Sequence, residues 1–464
     1  MDDRLRHPGN SMPEQVVRRK LVPQRVAIHE LGSFDRRGDF GEVLLPYGRD
    51  EAIAEAQRCI QCAKPWCVEA CPIAQDARGY LRLVASGDFE GARDLILRDN
   101  PLASCLGRVC YRYCEDACPV RKKGNPVAIR HVKRAALEYA GLARPYRAEP
   151  PNGQHVAVVG GGPAGLTVAW VLGQRGYEIT IFEAADHLGG LMTGTIPRYR
   201  LPDGVFEEDL ARLALFPIHF RYGIRFPREI GIDELLADFD AVFIATGTHN
   251  SRPLRIPGEN LDGVVPALPF LKEVRRGERS SVRPRTVVIG GGDVAIDSAR
   301  SALRLGAEEV TILYRRSRQE MPADDEEIQA AMDEGVTFVF LVAPLRFLGE
   351  RRLEGVELQP MVLGPPDASG RCKPIRADAE PFIIRCDTAI VATGQVADLD
   401  GIPPELGVSV GDDGNLVTSA ATGETTRPGV YAGGGGSVVH AMAAGKRAAL
   451  AIDAYLTPKR AGPS

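Results

Sequence analysis

VAVVGGGPAGLTVAWVLGQRGYEITIFE, residues 156–183, joins two apolar runs through a glycine-rich turn and a segment with helical character. Gly160, Gly162 and Gly165 have G-x-G-x-x-G spacing. The first glycine of this pattern permits a tight turn, the second admits a pyrophosphate, and the third allows close helix–strand packing. Glu183 ends the second apolar run, where a carboxylate can accept hydrogen bonds from a ribose. The stretch therefore predicts a dinucleotide-binding unit, with phosphates at the helix N-terminus.

The same stretch includes 18 consecutive uncharged residues, 156–173, and that length would also suit a membrane-spanning helix. The three glycines and Pro163 argue against such a helix, because they are typical of a phosphate-binding turn. The first residues of the chain are polar and charged and contain no apolar signal-peptide core. We therefore expect a cytoplasmic protein without a membrane span.

Residues 285–316 repeat this design with a different ending. Gly290, Gly292 and Ala295 form a G-x-G-x-x-A pattern between an apolar run and a helical segment. The second apolar run ends in Tyr314-Arg315-Arg316 and carries no acid. A guanidinium suits a ribose 2′-phosphate, which an acid would repel, so Arg315 and Arg316 favour NADPH over NADH. The alternative is that both arginines belong to a solvated loop.

Further glycine-rich turns follow apolar runs elsewhere in the chain, and we expect these turns to line the two nucleotide pockets. Each could also be an ordinary loop. A helix is predicted after the last turn, at 438–456, so its N-terminus would present N–H groups to flavin phosphate or ring oxygens. The additional candidate cofactor-binding residues are Gly190, Arg198, Gly247, Gly394, Gly434 and Gly435.

Eight of the ten cysteines lie between Cys59 and Cys118. They form two runs with short spacings, and each run ends in Cys-Pro. Such spacing favours thiolates around iron–sulfur clusters, and in two-cluster patterns the last cysteine of a run commonly serves the other cluster. A zinc site built from four thiolates is the main alternative. The first run comprises Cys59, Cys62, Cys67 and Cys71, and the second comprises Cys105, Cys110, Cys114 and Cys118.

The predicted fold class is α/β, with an N-terminal helical domain followed by two Rossmann-like units of the glutathione-reductase type. Helices are predicted at 50–58, at 126–139 and, in two pieces broken at Gly87, at 77–97. Residues before about 50 look like an extended arm, and strands are predicted at 337–342, 353–358 and 382–394. The predicted domains are 1–150 for the clusters, 151–275 and 386–464 for FAD, and 276–385 for NAD(P)H.

Composition limits the function further. Charged residues make up 25% of the 464 residues and the net charge is −4, so no strong basic field indicates a nucleic-acid partner. No cysteine pair lies close together within either dinucleotide unit. That argues against disulfide-reductase chemistry, which needs a dithiol beside the flavin. Hydride transfer requires alignment more than an acid–base pair, so no catalytic side chain is predicted.

These motifs together resemble the glutamate synthase small (beta) subunit family. Its relatives include the electron-input half of dihydropyrimidine dehydrogenase and the large subunit of NADH-dependent ferredoxin:NADP oxidoreductase. The resemblance extends over about residues 52–456. The motifs that carry it are RCIQC at 58–62, GRVC at 107–110, VVGGGPAGL at 158–166, IPRYRLP at 196–202, VIGGGDVAID at 288–297 and YRRSRQEMP at 314–322.

The resemblance implies that NAD(P)H reduces FAD by hydride transfer and that two [4Fe–4S] clusters carry single electrons to a partner. The partner would be a larger catalytic subunit that makes L-glutamate from glutamine and 2-oxoglutarate. A ferredoxin-type acceptor, a 2-oxoacid oxidoreductase or a pyrimidine-reducing subunit are the alternatives, and a redox sensor is a third hypothesis. The implied ligands are Cys59, Cys62, Cys67 and Cys118 for one cluster, and Cys71, Cys110 and Cys114 for the other.

The chain departs from the family pattern at three places. Cys105 is one position away from an additional cysteine of the family. Lys133 stands where relatives can place a Gln or Glu ligand, and a protonated lysine has no lone pair to donate. The fourth ligand of the second cluster is therefore left open between Cys105, His131 and another group. At the C-terminal turn, Gly435 replaces an acid and His440 stands where Glu is frequent.

Overall fold

The computed structural model describes residues 22–141, 148–279, 281–367, 370–397, 407–411 and 416–460. The helices, in chain order, are α1 (Arg49–Gln57), α2 (Trp66–Glu69), α3 (Ala77–Ala85), α4 (Phe89–Asp99), α5 (Ala103–Val109), α6 (Tyr113–Asp116), α7 (Ile129–Tyr139), α8 (Pro163–Gly173), α9 (Leu191–Gly194), α10 (Asp203–Leu213), α11 (Ile232–Asp238), α12 (Ala267–Arg276), α13 (Asp293–Arg304), α14 (Asp325–Asp333) and α15 (Val438–Arg460).

The strands are shorter and fall mostly in the second half of the chain. In chain order they are β1 (His155–Val159), β2 (Glu178–Glu183), β3 (Ile218–Tyr222), β4 (Ala241–Ile244), β5 (Asn250–Ser251), β6 (Val264–Pro266), β7 (Arg285–Ile289), β8 (Glu309–Tyr314), β9 (Thr337–Phe340), β10 (Val342–Leu348), β11 (Gly355–Pro366), β12 (Cys372–Arg376), β13 (Phe382–Arg385), β14 (Thr388–Val391), β15 (Gln395–Val396) and β16 (Val430–Ala432).

The first domain is helical, as the sequence predicts. Helices α3 and α4 each begin after an aspartate whose carboxylate accepts a backbone N–H three residues on, Asp76 from Gly79 and Asp88 from Gly91. Gly87, at φ +82°, lies between these two helices. Helix α7 packs against α1, α3, α4 and α5, and its buried face includes Val132, Ala135 and Ala136. This packing holds the loops that carry the cysteines.

The described part of the predicted extended arm is packed against other elements, and the first 21 residues lie outside the described ones. Tyr47 is fully buried and donates its hydroxyl hydrogen bond to the Val26 carbonyl over 2.8 Å. The backbone N–H of Val43 donates to the carbonyl of Tyr199, beyond the helical domain, over 3.1 Å. Residues 22–48 therefore link two domains, which their lack of hydrophobic periodicity did not predict.

Two five-stranded parallel sheets form the nucleotide domains. The first has the order β16-β4-β1-β2-β3 and is covered by α8 and α15, which pack closely together. Its last strand comes from the end of the chain, so the second domain is inserted into the first. The second sheet has the order β6-β14-β7-β8-β9. An antiparallel sheet of β10, β11 and β12, with β13 paired to β11, extends from this second domain.

The structure differs from the predicted boundaries at three places. The second parallel sheet includes β14, which pairs with β7, and β6, which pairs with β14, so this sheet extends beyond 276–385 at both ends. The predicted strand at 382–394 is two strands in different sheets, since the chain turns at Asp387, whose carboxylate accepts hydrogen bonds from Arg285. Similarly, the predicted strand at 337–342 is divided at Leu341, where φ is +58°.

None of the helices within the described ranges has the length and apolar character that a membrane span needs.

Candidate nucleotide cleft and cysteine groups

A cleft of about 1910 Å³ lies between the two parallel sheets. Residues of both nucleotide domains line it, at the carboxyl ends of the strands, where open α/β sheets bind ligands. The predicted site residues along its wall are Gly160, Gly162, Glu183, Gly190, Arg198, Gly247, Gly290, Gly292, Arg315, Arg316, Gly394, Gly434 and Gly435. Gly165 and Ala295 lie behind this wall, on α8 and α13.

The three glycines of the G-x-G-x-x-G turn, here called the first fingerprint (Gly160, Gly162 and Gly165), have different surroundings. Gly160 has φ +103°, and a Cβ there would collide with the Ala245 carbonyl. A Cβ on Gly165 would collide with the Gly160 carbonyl, because the helix lies directly against the turn. Gly162 has open space within 4 Å of its Cβ position. This opening at the N-terminus of α8 is where a pyrophosphate can approach the backbone.

The second fingerprint has the same construction. Gly290 has φ +151°, and a Cβ on it would collide with the Ala392 carbonyl. Around Gly292 the nearest atom to a Cβ position is 4.0 Å away, on Pro322. Ala295 is fully buried where α13 packs on the sheet. Both turns therefore offer a helix N-terminus with space for a phosphate group, so the donor set fits a dinucleotide in each domain.

Glu183 is held at the end of β2 beside the first fingerprint. Its carboxylate accepts hydrogen bonds from the backbone N–H groups of Gly161 and Ala185, each over 2.8 Å. These bonds fix the carboxylate against the turn while the side chain remains on the cleft wall. The position suits hydrogen bonding to a ribose hydroxyl.

Arg315 and Arg316 have different environments although they are adjacent. Arg316 is buried, and its guanidinium donates to the Asp367 carboxylate over 2.5 Å and to the Cys372 carbonyl over 2.7 Å. Arg315 is exposed on the cleft wall, and no described side chain pairs with it. Partial desolvation by the surrounding cleft, followed by the neighbouring Arg316 guanidinium, lowers the pKa of Arg315. An anion bound beside Arg315 would relieve this unbalanced positive charge.

A buried ion pair between the nucleotide domains was missed from the sequence. Arg200 donates to both carboxylate oxygens of Asp297, each over 2.9 Å, and lies 3.3 Å from Glu327. Burial opposes ionisation of Glu327, yet the guanidiniums of Arg200 and Arg300 hold its pKa down to about 2. The available signal was that Arg200 and Asp297 each belong to a motif that carries the family resemblance.

Asp293, at the first turn of α13, is a second residue that the sequence did not single out. It lies on the cleft wall beside the second fingerprint. Burial, followed by the nearby Asp297 carboxylate, raises its pKa to about 8. Its carboxylate accepts a hydrogen bond from the backbone N–H of Asp324 over 3.1 Å. A protonated Asp293 would present a donor rather than a negative charge to an anionic ligand at this turn.

The C-terminal glycine turn faces the helical domain. Gly434 and Gly435 have φ of +139° and +80° and line the cleft just before α15. His440 lies one turn into α15, with its ring 5.2 Å from that of Tyr113, beside Cys114. Its Nδ1 lies 3.0 Å from the Ser437 hydroxyl. This turn therefore joins the nucleotide cleft to one of the cysteine loops.

Four cysteines surround one cavity in the helical domain. Cys59, Cys62 and Cys67 from the first run line it together with Cys118 from the second. Burial raises the pKa of Cys67 to about 11, and the nearby Cys59 and Cys118 add to that rise. Thiols gathered in this way ionise readily only when a cationic group neutralises them. The chemistry of this donor set fits an iron–sulfur cluster.

Cys71, Cys110 and Cys114 form a second group with Lys133. Burial raises the pKa of Cys71 and of Cys114, and in both cases Cys110 raises it further while the Lys133 ammonium lowers it. Lys133 is buried on α7, so its side chain faces this group and not solvent. Three thiols and an amine are thus near enough to influence one another's pKa values.

Cys105 and His131 face away from the second group. The backbone N–H of Cys105 donates to the buried Asp209 carboxylate over 2.9 Å, and its thiol is paired with the same residue. His131 packs against Tyr47, with ring centroids 5.5 Å apart. Among the described residues, no three His, Cys, Asp or Glu side chains lie close enough to share one metal ion.

The second cysteine group is the nearer to the nucleotide cleft. Val109 and Tyr111, on either side of Cys110, both line the cleft. The next residue, Arg112, binds Asp324 over 2.8 Å and Glu326 over 2.5 Å at the start of α14. These bonds fasten the cysteine loop to the second nucleotide domain. The second group therefore adjoins the cleft, whereas Cys59, Cys62, Cys67 and Cys118 line a separate cavity.

Comparison with known families agrees with this division of the chain. Residues 36–143 match dihydropyrimidine dehydrogenase domain II, 4Fe-4S cluster. Residues 158–215 match the NAD(P)-binding Rossmann-like domain, and residues 229–451 match pyridine nucleotide-disulphide oxidoreductase. FprA from Mycobacterium tuberculosis in complex with NADPH has a TM-score of 0.57 at 20% identity, over 68% of this chain and 86% of that one, which shows a shared fold.

Relatives extend over most of this chain. The glutamate synthase [NADPH] small chain of Azospirillum brasilense is 32% identical, over 92% of this chain and 94% of its own length. The NADP(+)-dependent formate dehydrogenase subunit beta of Moorella thermoacetica is 36% identical, and the NADPH-Fe(3+) oxidoreductase subunit beta of Geobacter sulfurreducens is 39% identical. The chain spans only 65% and 54% of those two proteins and covers 91% and 76% of itself in the matches. The chain therefore belongs to the glutamate synthase small-subunit family, and it is an NADPH-dependent flavin oxidoreductase with a [4Fe–4S] domain.

Proposed function

We propose that this chain takes electrons from NADPH and passes them through FAD and two [4Fe–4S] clusters to a larger partner subunit. In the complete enzyme the electrons would serve L-glutamate synthesis from glutamine and 2-oxoglutarate. The observation that carries the proposal is the cleft with the second cysteine group beside it and the first cysteine group around a separate cavity. The match to glutamate synthase small chains over 94% of their length supports this choice of partner.

Each group has its own set of proposed contacts. FAD would lie against the first fingerprint and the C-terminal turn, and NADPH against the second fingerprint. Bound FAD supplies acceptance of two electrons at once and their release one at a time. The proposed FAD residues are Gly160, Gly162, Gly165, Glu183, Gly190, Arg198, Gly247, Gly434 and Gly435. The proposed NADPH residues are Gly290, Gly292, Ala295, Arg315, Arg316 and Gly394.

The cluster ligands are proposed from the two cysteine groups. Cys59, Cys62, Cys67 and Cys118 would hold one cluster, whose thiolates the surrounding helices orient. Cys71, Cys110 and Cys114 would hold the other. Lys133 and the buried Glu115 are polar side chains near those three, while Cys105 and His131 have other partners. The second cluster would therefore have three thiolate ligands, and its fourth ligand stays open because a protonated Lys133 has no lone pair to donate.

A second candidate function keeps the same electron path and changes the partner. The formate dehydrogenase and NADPH-Fe(3+) oxidoreductase beta subunits, at 36% and 39% identity, are more similar to this chain than the glutamate synthase small chain at 32%. This favours an electron-transfer subunit that serves another oxidoreductase. Gly435 and Lys133, where the family has acids or amides, are also compatible with a different partner.

Anaerobic purification under native conditions distinguishes the two candidates. We expect the isolated chain to reduce an artificial dye with NADPH and to make no glutamate. Addition of a copurifying large subunit should restore glutamate formation under the first candidate and a different NADP(H)-linked reaction under the second. Glutamate formation by the isolated chain, or a protein without flavin, would contradict the proposal.

Arg315 is exposed on the cleft wall, where a ribose 2′-phosphate would bind, so replacing it should change the preference for NADPH over NADH. We expect Arg315→Gln to raise the KM for NADPH about 10-fold to 100-fold, because charge-assisted hydrogen bonds contribute about 1.5–3 kcal/mol. The KM for NADH should change little. Steady-state kinetics with both nucleotides measure the effect. Arg318→Gln is the matched control, because Arg318 pairs with Asp325 and lies off the cleft wall. Equal changes with both nucleotides would contradict a phosphate contact.

A further inference from the structure

Two large apolar side chains are exposed beside the first cysteine group. Ile60 and Trp66 have relative exposures of 39% and 46%. Both also line the cavity that Cys59, Cys62 and Cys67 share with Cys118. Cys59, Cys62 and Cys67 are themselves only partly buried, so this cavity lies close to solvent. An exposed tryptophan next to a redox site is typical of a protein–protein contact, in which aromatic anchors contribute most of the binding energy.

Positive charge surrounds this apolar pair. The Lys64 ammonium lies 4.1 Å from the centre of the Trp66 ring. A short 3-10 helix, Pro119–Lys122, leads from the cavity wall to Arg121, Lys122 and Lys123, all three exposed.

Two of these charges are balanced locally. Lys64 pairs with Glu69 over 3.2 Å, and Arg121 pairs with Asp116 over 3.3 Å. No carboxylate among the described residues pairs with Lys122 or Lys123. The whole chain has net charge −4, so this positive face, formed by Ile60, Lys64, Trp66, Lys122 and Lys123, is a local feature.

We propose that the face formed by Ile60, Lys64, Trp66, Lys122 and Lys123 docks a redox protein with an acidic surface and exchanges electrons with it at the first cysteine group. The proposal rests on the proposed function, which brings electrons to that group. The tryptophan and isoleucine would bury against the partner, and the two lysines would steer an acidic surface into register. Electrostatic steering of this kind raises the association rate and weakens with ionic strength.

The electron balance requires two docking events for each nucleotide. NADPH gives up a hydride, which carries two electrons, and a one-electron partner accepts one of them in each encounter. One NADPH and two oxidised partner molecules yield NADP⁺, one proton and two reduced partner molecules. The reverse reaction uses the same face, so reduced partner molecules plus NADP⁺ and a proton yield NADPH.

The test uses the anaerobically purified holoprotein and a plant-type [2Fe–2S] ferredoxin of strongly negative net charge as the probe. Affinity is measured by isothermal titration calorimetry at low and high ionic strength, and NADP⁺ reduction by chemically reduced ferredoxin is followed by absorbance. Trp66→Ala and the double variant Lys122→Glu/Lys123→Glu are compared with the double variant Lys373→Glu/Arg376→Glu. That control reverses two exposed charges on β12, which is outside the helical domain that holds both cysteine groups.

We expect salt to weaken binding by the unaltered chain. Trp66→Ala and Lys122→Glu/Lys123→Glu should each weaken affinity about tenfold or more, with the β12 variant unchanged. Dye reduction by NADPH and iron content should be unchanged in the lysine variant. Absence of ferredoxin binding at low salt, unaltered affinity in the lysine variant, or equal binding of basic cytochrome c would overturn the docking proposal. Loss of dye reduction in the unaltered chain would instead overturn the proposed function.

Discussion

Replacing Cys118 by alanine should remove about half of the bound iron, because each [4Fe–4S] cluster contributes four iron atoms and only one would be lost. Cys118 lies on the cavity shared with Cys59, Cys62 and Cys67, although it belongs to the second run along the chain. Its loss leaves three thiolates where the proposed cluster needs four. Iron and sulfide analysis of anaerobic protein, with electron paramagnetic resonance of the reduced clusters, measures the outcome.

Cys105→Ala is the matched control for this variant. Cys105 is fully buried, and it contacts Asp209 on α10 and neither cysteine group. We expect this variant to keep all of its iron, with a modest loss of stability from the small cavity left behind. Loss of iron in Cys105→Ala, or full iron in Cys118→Ala, would mean that the two groups are assigned wrongly. Flavin content should be unchanged in both variants.

The dinucleotide units could be predicted from the sequence because their determinants are local. Gly165 lies against the carbonyl of its own turn, at Gly160. Gly160 has a φ of +103°, which favours glycine whatever surrounds it, although the carbonyl nearest its Cβ position belongs to the distant Ala245. The helices of the first domain could be predicted for the same reason, since the aspartate caps and apolar faces of these helices each depend on a few neighbouring residues. Local rules of this kind do not depend on how the domains are arranged.

The division of the cysteines could not be derived from spacing alone. Cys118 joins the first run in space because α2 packs against α6, and no local pattern contains that contact. The family resemblance supplied the division. The prediction of one continuous strand at 382–394 was wrong for a similar reason, because the turn at Asp387 depends on a distant partner, Arg285. The bonds of Arg316 to Asp367 and to the Cys372 carbonyl could not be predicted either, because those partners lie far along the chain.

The ion pair between Arg200 and Asp297 should have a large effect on the free energy of unfolding. Arg200→Met should lower the free energy of unfolding by about 3–5 kcal/mol, because removing one partner leaves the buried Asp297 carboxylate without its main counter-charge. Burial already raises the pKa of Asp297, and Arg200 is the strongest influence that lowers it. Denaturation by urea, followed by circular dichroism, measures the change. Arg346→Met is the control, since its ion pair with Glu357 has the same 2.9 Å separation but is exposed, so it should cost less than about 1 kcal/mol.

A pH series and a double variant separate the loss of charge from a loss of packing. Without Arg200, the raised pKa of Asp297 in the folded state makes ionisation unfavourable, so the destabilisation applies above the carboxyl's unfolded pKa and shrinks as pH falls toward it. We therefore expect a larger deficit at pH 8 than at pH 5. Arg200→Met/Asp297→Asn should recover part of the stability, because the amide carries no charge to leave unpaired. A deficit that is independent of pH and unrelieved by Asp297→Asn would show that Arg200 acts through packing, and the ion pair would then not be what holds the two nucleotide domains together.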